Sequence, residues 1–163
     1  SFENGADGWT VSLFPGGVET GTTWEFGAPT NGPGAARTGE GVAGTGLSAN
    51  YEESTTVQLR TPVIDTAGVT GVRLNFWYFI ESTAEEGGQI SILEESGDLI
   101  QNLEPLYLGG EEGNTAGWTE ASIRLPNLEP ARPFILQFAF LSGDDGDPNN
   151  GAGWFLDDVR VGK

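Results

Sequence analysis

The chain has 163 residues, with 24 Asp and Glu against 7 Lys and Arg, a net charge of −17, and no His, Cys or Met. That length suits one domain with a real core, and the charge opposes nucleic acid and anionic membrane surfaces while favouring cations. Without His and Cys there are no disulfides, no thiolate or imidazole metal ligands, and no Ser-His-Asp or Cys-His catalysis, so a bound metal must take oxygen ligands, as Ca2+ and Mg2+ do.

In chain order, short alternating apolar runs separated by turn residues predict strands over 9–14, 23–27, 41–47, 55–59, 72–80, 89–94, 118–125, 134–141 and 154–161. The 26 Gly and 9 Pro are spread through the chain and leave no window for a convincing amphipathic helix. The expected fold class is all-β, a two-sheet antiparallel sandwich of one domain covering 1–163. Between the second and third strands, "FGAPTNGPGAARTGEG" (26–41) reads as a long ordered loop. Trp9, Trp24 and Trp118 each begin a strand after a turn, where a large ring closes an end of the sandwich.

Two strands carry more information than the rest. In "VRLNFWYFI", Val72, Leu74, Phe76, Tyr78 and Ile80 share one face, and Arg73, Asn75, Trp77 and Phe79 share the other. In "FILQFAFL", Phe134, Leu136, Phe138 and Phe140 form the heavier face. The heavy faces are assigned to the core. A second surface is left with Arg73, Asn75, Trp77, Gln89, Ser91 and Gln137, where an indole can stack on a sugar ring and amides and a guanidinium can bond its hydroxyls. The competing assignment places Trp77 and Phe79 beneath a loop as a second small core.

The last strand, "GWFLDDVRV", sets two carboxylates among apolar neighbours. Strict alternation puts Phe155, Asp157, Val159 and Val161 on a face that reads as core, and Trp154, Leu156, Asp158 and Arg160 on the other. A carboxylate on the core face must meet a cation, accept several hydrogen bonds, or lie at a frayed strand end. Just before it, "GDDGDPNNGAGW" places Asp145, Asp147 and Asn149 at the first, third and fifth positions of an EF-hand-like loop, but Asn150 and Leu156 break that pattern. The paired glutamates at 85–86, 94–95 and 111–112 read as solvated turns. No strand aligns acidic residues to deliver the facing carboxylates, about 5–9.5 Å apart, that a glycosidase uses.

Taken in order, "SFENGADGW", "WEFGAPT", "VQLRTPVID", "LNFWYF" and "GWFLDDVRV" resemble MAM-type jelly rolls and their bacterial relatives across nearly the whole chain. Those relatives include domains that follow immune-inhibitor-A-like metalloproteases. The opening F-E-x-G-x-x-G-W and closing D-D-V-x-V are also similar to calcium-stabilised carbohydrate-binding modules of bacterial xylanases and laminarinases. The absence of Cys departs from animal MAM domains. The resemblance implies a structural Ca2+ shared by Glu3 and Asp157 with backbone carbonyls of a nearby loop, with Asp158 as a further candidate; Asp145, Asp147 and Asn149 are secondary ones. It also implies a non-catalytic, monomeric module of a larger secreted bacterial protein. The expected partner is a polysaccharide or cell-surface glycan met by Arg73, Asn75, Trp77, Gln89 and Gln137. The alternative is an adhesion module for a surface protein; neither reading involves nucleic acid or membrane insertion.

Overall fold

The computed structural model describes residues 1–163 apart from 67, 129, 130, 145 and 147–149. The described residues form ten strands and no helix: β1 (Thr10–Leu13), β2 (Glu25–Gly27), β3 (Val42–Gly44), β4 (Thr56–Arg60), β5 (Arg73–Glu81), β6 (Gly87–Leu93), β7 (Leu99–Leu108), β8 (Thr119–Arg124), β9 (Ile135–Leu141) and β10 (Gly153–Gly162). They pair antiparallel into two five-stranded sheets, β1-β4-β9-β6-β7 and β2-β3-β10-β5-β8. The jelly-roll β-sandwich expected from the sequence is the observed architecture.

Period-two alternation delivers one side of each sheet to the space between them. Leu74, Phe76 and Ile80 of β5, Leu136, Phe138 and Phe140 of β9, Ile90 and Ile92 of β6, and Val57 and Leu59 of β4 join one core with Trp154 and Leu156. Rings meet edge-on or tilted at 5.8 Å where Phe138 contacts Phe76 and Trp154, the arrangement that aromatic quadrupoles favour. Trp9 packs on Phe2 and Phe138, and Trp24 on Trp154, so these two indoles are structural, as their positions suggested.

Two sequence expectations need correction. The strand β7 was not foreseen, because "LIQNLEPLYL" contains Pro105 and alternates weakly. A proline is tolerated there because β7 is an edge strand, where an N–H on the open side has no ladder partner to lose. The face assignment in β10 is also overturned. Asp157 pairs with Trp77, but Arg160 pairs with Asn75, so β10 spends one residue more than β5 across this step. This β-bulge, with Asp158 at φ 49°, reverses the alternation. Trp154 and Leu156 before it and Val159 and Val161 after it all reach the main core, while Phe155 points the other way.

Phe155 enters a second small core with Val42, Leu47, Phe79 and Ala152, on the outer side of the second sheet. The 26–41 loop closes it, with Ala36 packed against the cluster and Gly32 so near the Phe155 ring that a Cβ would overlap it. Trp118 joins this cluster and donates from its indole nitrogen to the Ala35 carbonyl at 2.9 Å.

Gly88 of β6 lies where a Cβ would run into the Trp154 ring. Gly88→Ala is expected to destabilise the domain by about 1–3 kcal/mol through overpacking. Gly117→Ala, with open space around it, should stay within about 0.5 kcal/mol. Urea unfolding of the two variants against the parent measures both.

Candidate functional site

The outer face of the first sheet forms an open groove of about 530 Å3, within the range of ligand sites. Its floor comes from side chains that alternate with core residues. Gln58 and Arg60 flank Leu59 on β4, Gln137 and Ala139 flank Phe138 on β9, and Gln89 and Ser91 flank Ile90 on β6. Strand register arranges them in rows across the sheet. Arg60 is opposite Gln137, Gln137 opposite Ser91, and Ser91 opposite Asn102 of β7. The next row runs from Ser12 through Gln58 and Ala139 to Gln89.

Hydrogen bonds hold this floor in one arrangement. Arg60 donates from Nε to Gln137 Oε1 at 2.9 Å and from Nη2 to Gln58 Oε1 at 3.2 Å. Ser91 donates to Asn102 Oδ1 at 2.8 Å, and Gln89 donates from Nε2 to the Leu103 and Ile90 carbonyls at 2.8 and 3.0 Å. These bonds leave the amide nitrogens of Gln58, Gln137 and Asn102 and the Gln89 oxygen without partners among the described residues. Gln58 and Gln137 are only 2% and 6% exposed, so what remains open of them opens into the groove. The walls are apolar, built by Leu99, Leu106 and Leu108 of β7, Leu141 of β9, and Phe14 and Pro15 after β1.

The residues expected to form one recognition surface divide between the two sheets. Gln89, Ser91 and Gln137 line this groove, whereas Arg73, Asn75 and Trp77 lie on β5 in the second sheet. Alternation fixes which side of its own strand a residue occupies but not which sheet the strand joins. On β5, Ser122 ties the polar pair together, accepting from Arg73 Nε at 2.8 Å and donating to Asn75 Oδ1 at 2.6 Å. The Arg37 guanidinium of the 26–41 loop lies 4.3 Å from the Trp77 ring centre, a cation–π contact that occupies the face a sugar would use. Gln58, Arg60 and Asn102 were missed, although Gln58 and Arg60 alternate with Val57 and Leu59 much as Gln137 does with its core neighbours.

The two carboxylates assigned to calcium hold one loop. Asp157 is fully buried, and its Oδ2 accepts from the Arg37 and Thr38 amides at 3.1 and 3.0 Å while Oδ1 accepts from the Asp158 amide at 2.6 Å. Burial pushes its carboxyl pKa up, and the Thr38 and Asp158 amides pull against that shift. Glu3 accepts from the Glu40 amide at 2.9 Å and from Gly41 at 3.2 Å. Asp158 accepts from the Thr38 hydroxyl at 2.9 Å and pairs with Arg160 at 3.3 Å. A carboxylate offers about four acceptor positions, so amides consume most of Asp157 and part of Glu3. Among the described residues no group of three or more acidic side chains could hold a metal. The oxygen-only donor set is of the kind Ca2+ takes, with about one acceptor position left on Asp157 beside its three N–H donors. Asp145, Asp147 and Asn149 lie outside the described residues.

Removing the Asp157 carboxylate strands three amides. Asp157→Ala should cost about 2–4 kcal/mol, within the penalty expected for unsatisfied buried donors, and should speed hydrogen exchange at Arg37 and Thr38. Asp158→Ala, which loses one hydroxyl bond and an ion pair to an exposed arginine and sets an alanine at φ 49°, should cost less, about 1–2 kcal/mol. Thermal melts and amide exchange of the two variants check the order.

No family model matches the chain. Bacillopeptidase F of Bacillus subtilis (strain 168) is 31% identical over 161 residues, covering 97% of this chain, which spans only 10% of that protein's length. The K1 cleaved adhesin domain of Lys-gingipain from Porphyromonas gingivalis W83 superposes with a TM-score of 0.59 at 21% identity, covering 99% of this chain and 94% of that one. A structure from the carbohydrate-binding modules of the β-sandwich superfamily gives a TM-score of 0.58 at 20% identity, covering 96% and 57%. The chain therefore has the jelly-roll β-sandwich fold found in bacterial adhesin domains and carbohydrate-binding modules.

Proposed function

We propose that the chain is a non-catalytic recognition module of a larger secreted bacterial protein, and that it holds a glycan chain in the groove of the first sheet. The observation that carries this reading is the pair of polar rows across the groove floor, whose unpartnered amide groups offer the mixed donor–acceptor character that sugar hydroxyls take. The sandwich fold shared with carbohydrate-binding modules supports it. Phe14 is the one aromatic ring among the lining residues, so recognition rests on hydrogen bonds rather than stacking. Glu85 is the one acidic residue among the described residues lining the groove, and these do not supply the carboxylate pair of a glycosidase.

A specific observation favours a second reading. Leu99 and Leu106, 60% and 46% exposed on the rim, would bury more apolar surface against a surface protein than against a sugar. Calcium, in the leading reading, is held where Glu3 and Asp157 grip the 37–41 segment, with loop carbonyls completing its coordination; it stiffens the loop and does not touch the groove.

A glycan array with the isolated domain, in Ca2+ and in EDTA, tests the ligand class. Gln89→Ala and Gln137→Ala should lose glycan binding about tenfold or more while keeping the melting temperature within a few degrees. Trp77→Ala should leave glycan binding intact. Binding that survives both glutamine variants rejects the groove, and an empty array with capture of a surface protein moves the assignment to adhesion. For the metal, Ca2+ at 100 times its Kd should stabilise the fold by about 2.7 kcal/mol. Asp157→Ala should abolish that gain and Asp158→Ala should keep it; identical melts in Ca2+ and EDTA dismiss calcium.

A further inference from the structure

The cation on the groove floor has no anion. Elsewhere the basic residues with a described partner are engaged away from the groove: Arg132 pairs with Glu94 at 3.1 Å, Arg160 pairs with Asp158, Arg37 covers Trp77, and Arg73 donates to Ser122. Arg60 alone among the basic residues lines the groove, half-buried, and it forms no ion pair among the described residues of a chain with 24 acidic side chains. Two neutral acceptors, Gln137 Oε1 and Gln58 Oε1, hold it instead.

A half-buried guanidinium without a carboxylate is costly to keep unless something else compensates the charge. The two glutamine oxygens compensate it in part and also fix the plane of the fork. Of its five N–H donors they use two, leaving three, including both on Nη1. Gly97, in the turn between β6 and β7, passes so close that a Cβ there would lie 3.3 Å from Nη1, so a larger residue at that position would crowd the nitrogen. A planar fork with a fixed orientation and free donors is the arrangement that takes a carboxylate through two parallel bonds.

We infer that the groove selects a glycan bearing isolated carboxylates, a neutral chain with sparse uronic acid units, and that Arg60 is its specificity-determining residue. This rests on the glycan reading of the groove. The net charge of −17 argues for sparse rather than continuous carboxylates, because a dense polyanion would meet Glu85 in the groove and the repulsion of the whole molecule, while an isolated carboxylate can sit at Arg60 with neutral sugar units along the rest.

The test uses affinity electrophoresis of the intact chain in glucuronoxylan, in polygalacturonate, and in each polymer after chemical reduction of its carboxyl groups to alcohols. The expected result is retention by native glucuronoxylan, a loss of about tenfold or more on carboxyl reduction, and weaker retention by polygalacturonate. Arg60→Lys, which keeps the charge but loses the fork, should bring the native polymer down towards its reduced form. Equal retention of native and reduced glucuronoxylan overturns the inference while leaving the glycan groove standing. The ligand-side comparison holds even if an Arg60 variant fails to fold. Absence of retention on every polymer, with binding of an Asp- and Glu-bearing peptide, overturns the glycan source and rejects the groove reading with it.

Discussion

Asp157 is a carboxylate with no access to water, and a buried charge must be satisfied by whatever surrounds it. Here the backbone satisfies it. Three N–H groups close around its oxygens, two of them from a loop about 120 residues earlier in the chain. Just after Asp157 β10 takes an extra residue, and that bulge returns Val159 and Val161 to the main core instead of leaving them facing out. The captured loop lies over the second sheet, closing the small core around Phe155 and setting Arg37 on Trp77. One outer face is thereby covered and the other left open.

The open face differs in kind from the covered one. Under the loop, Phe79 and Phe155 meet edge-on with rings 5.8 Å apart, an apolar patch that gains stability by being covered. In the groove of the first sheet, the outward positions of the central strands are Gln58, Arg60, Gln89, Ser91 and Gln137, which a protein lid would have to satisfy bond by bond. Ala139 is the one apolar side chain within the floor rows, and the larger apolar residues stand at the margins, on β7, at the ends of β6 and β9 and beyond β1. Such a surface is more stable against water than beneath an apolar lid.

Much of this architecture is legible in the sequence, and the limits have physical causes. Alternation in β5 and β9 assigned Leu74, Phe76, Leu136 and Phe138 to the core because two-sided strands of a sandwich obey a period of two. The same rule failed in β10, since a bulge is a break in the period and nothing in "LDDV" marks it except the improbable carboxylates themselves. It failed in β7 because an edge strand needs only one bonded side and so accepts Pro105. For the groove, Gln89 and Gln137 were readable as outward polar residues. Their separation from Arg73, Asn75 and Trp77 was not, because sheet membership is set by long-range pairing. For Glu3 and Asp157 the sequence suggested a shared Ca2+, with several hydrogen bonds to Asp157 as the competing assignment; that the donors are amides of the 37–41 segment follows from three-dimensional contact alone.

Each row of the groove floor takes one side chain from each of several strands; Gln58, Ser91 and Gln137 sit between two core residues that face the opposite way, and Arg60 and Gln89 sit beside one. A substitution at Gln58, Gln89, Ser91 or Gln137 therefore changes the chemistry of the outer face, while the side chains packed between the sheets come from other positions. The outer face and the core are encoded at interleaved positions of the same strands. One sandwich can in this way carry different outer faces on the same packed interior, and the same fold is found in adhesin domains and carbohydrate-binding modules alike.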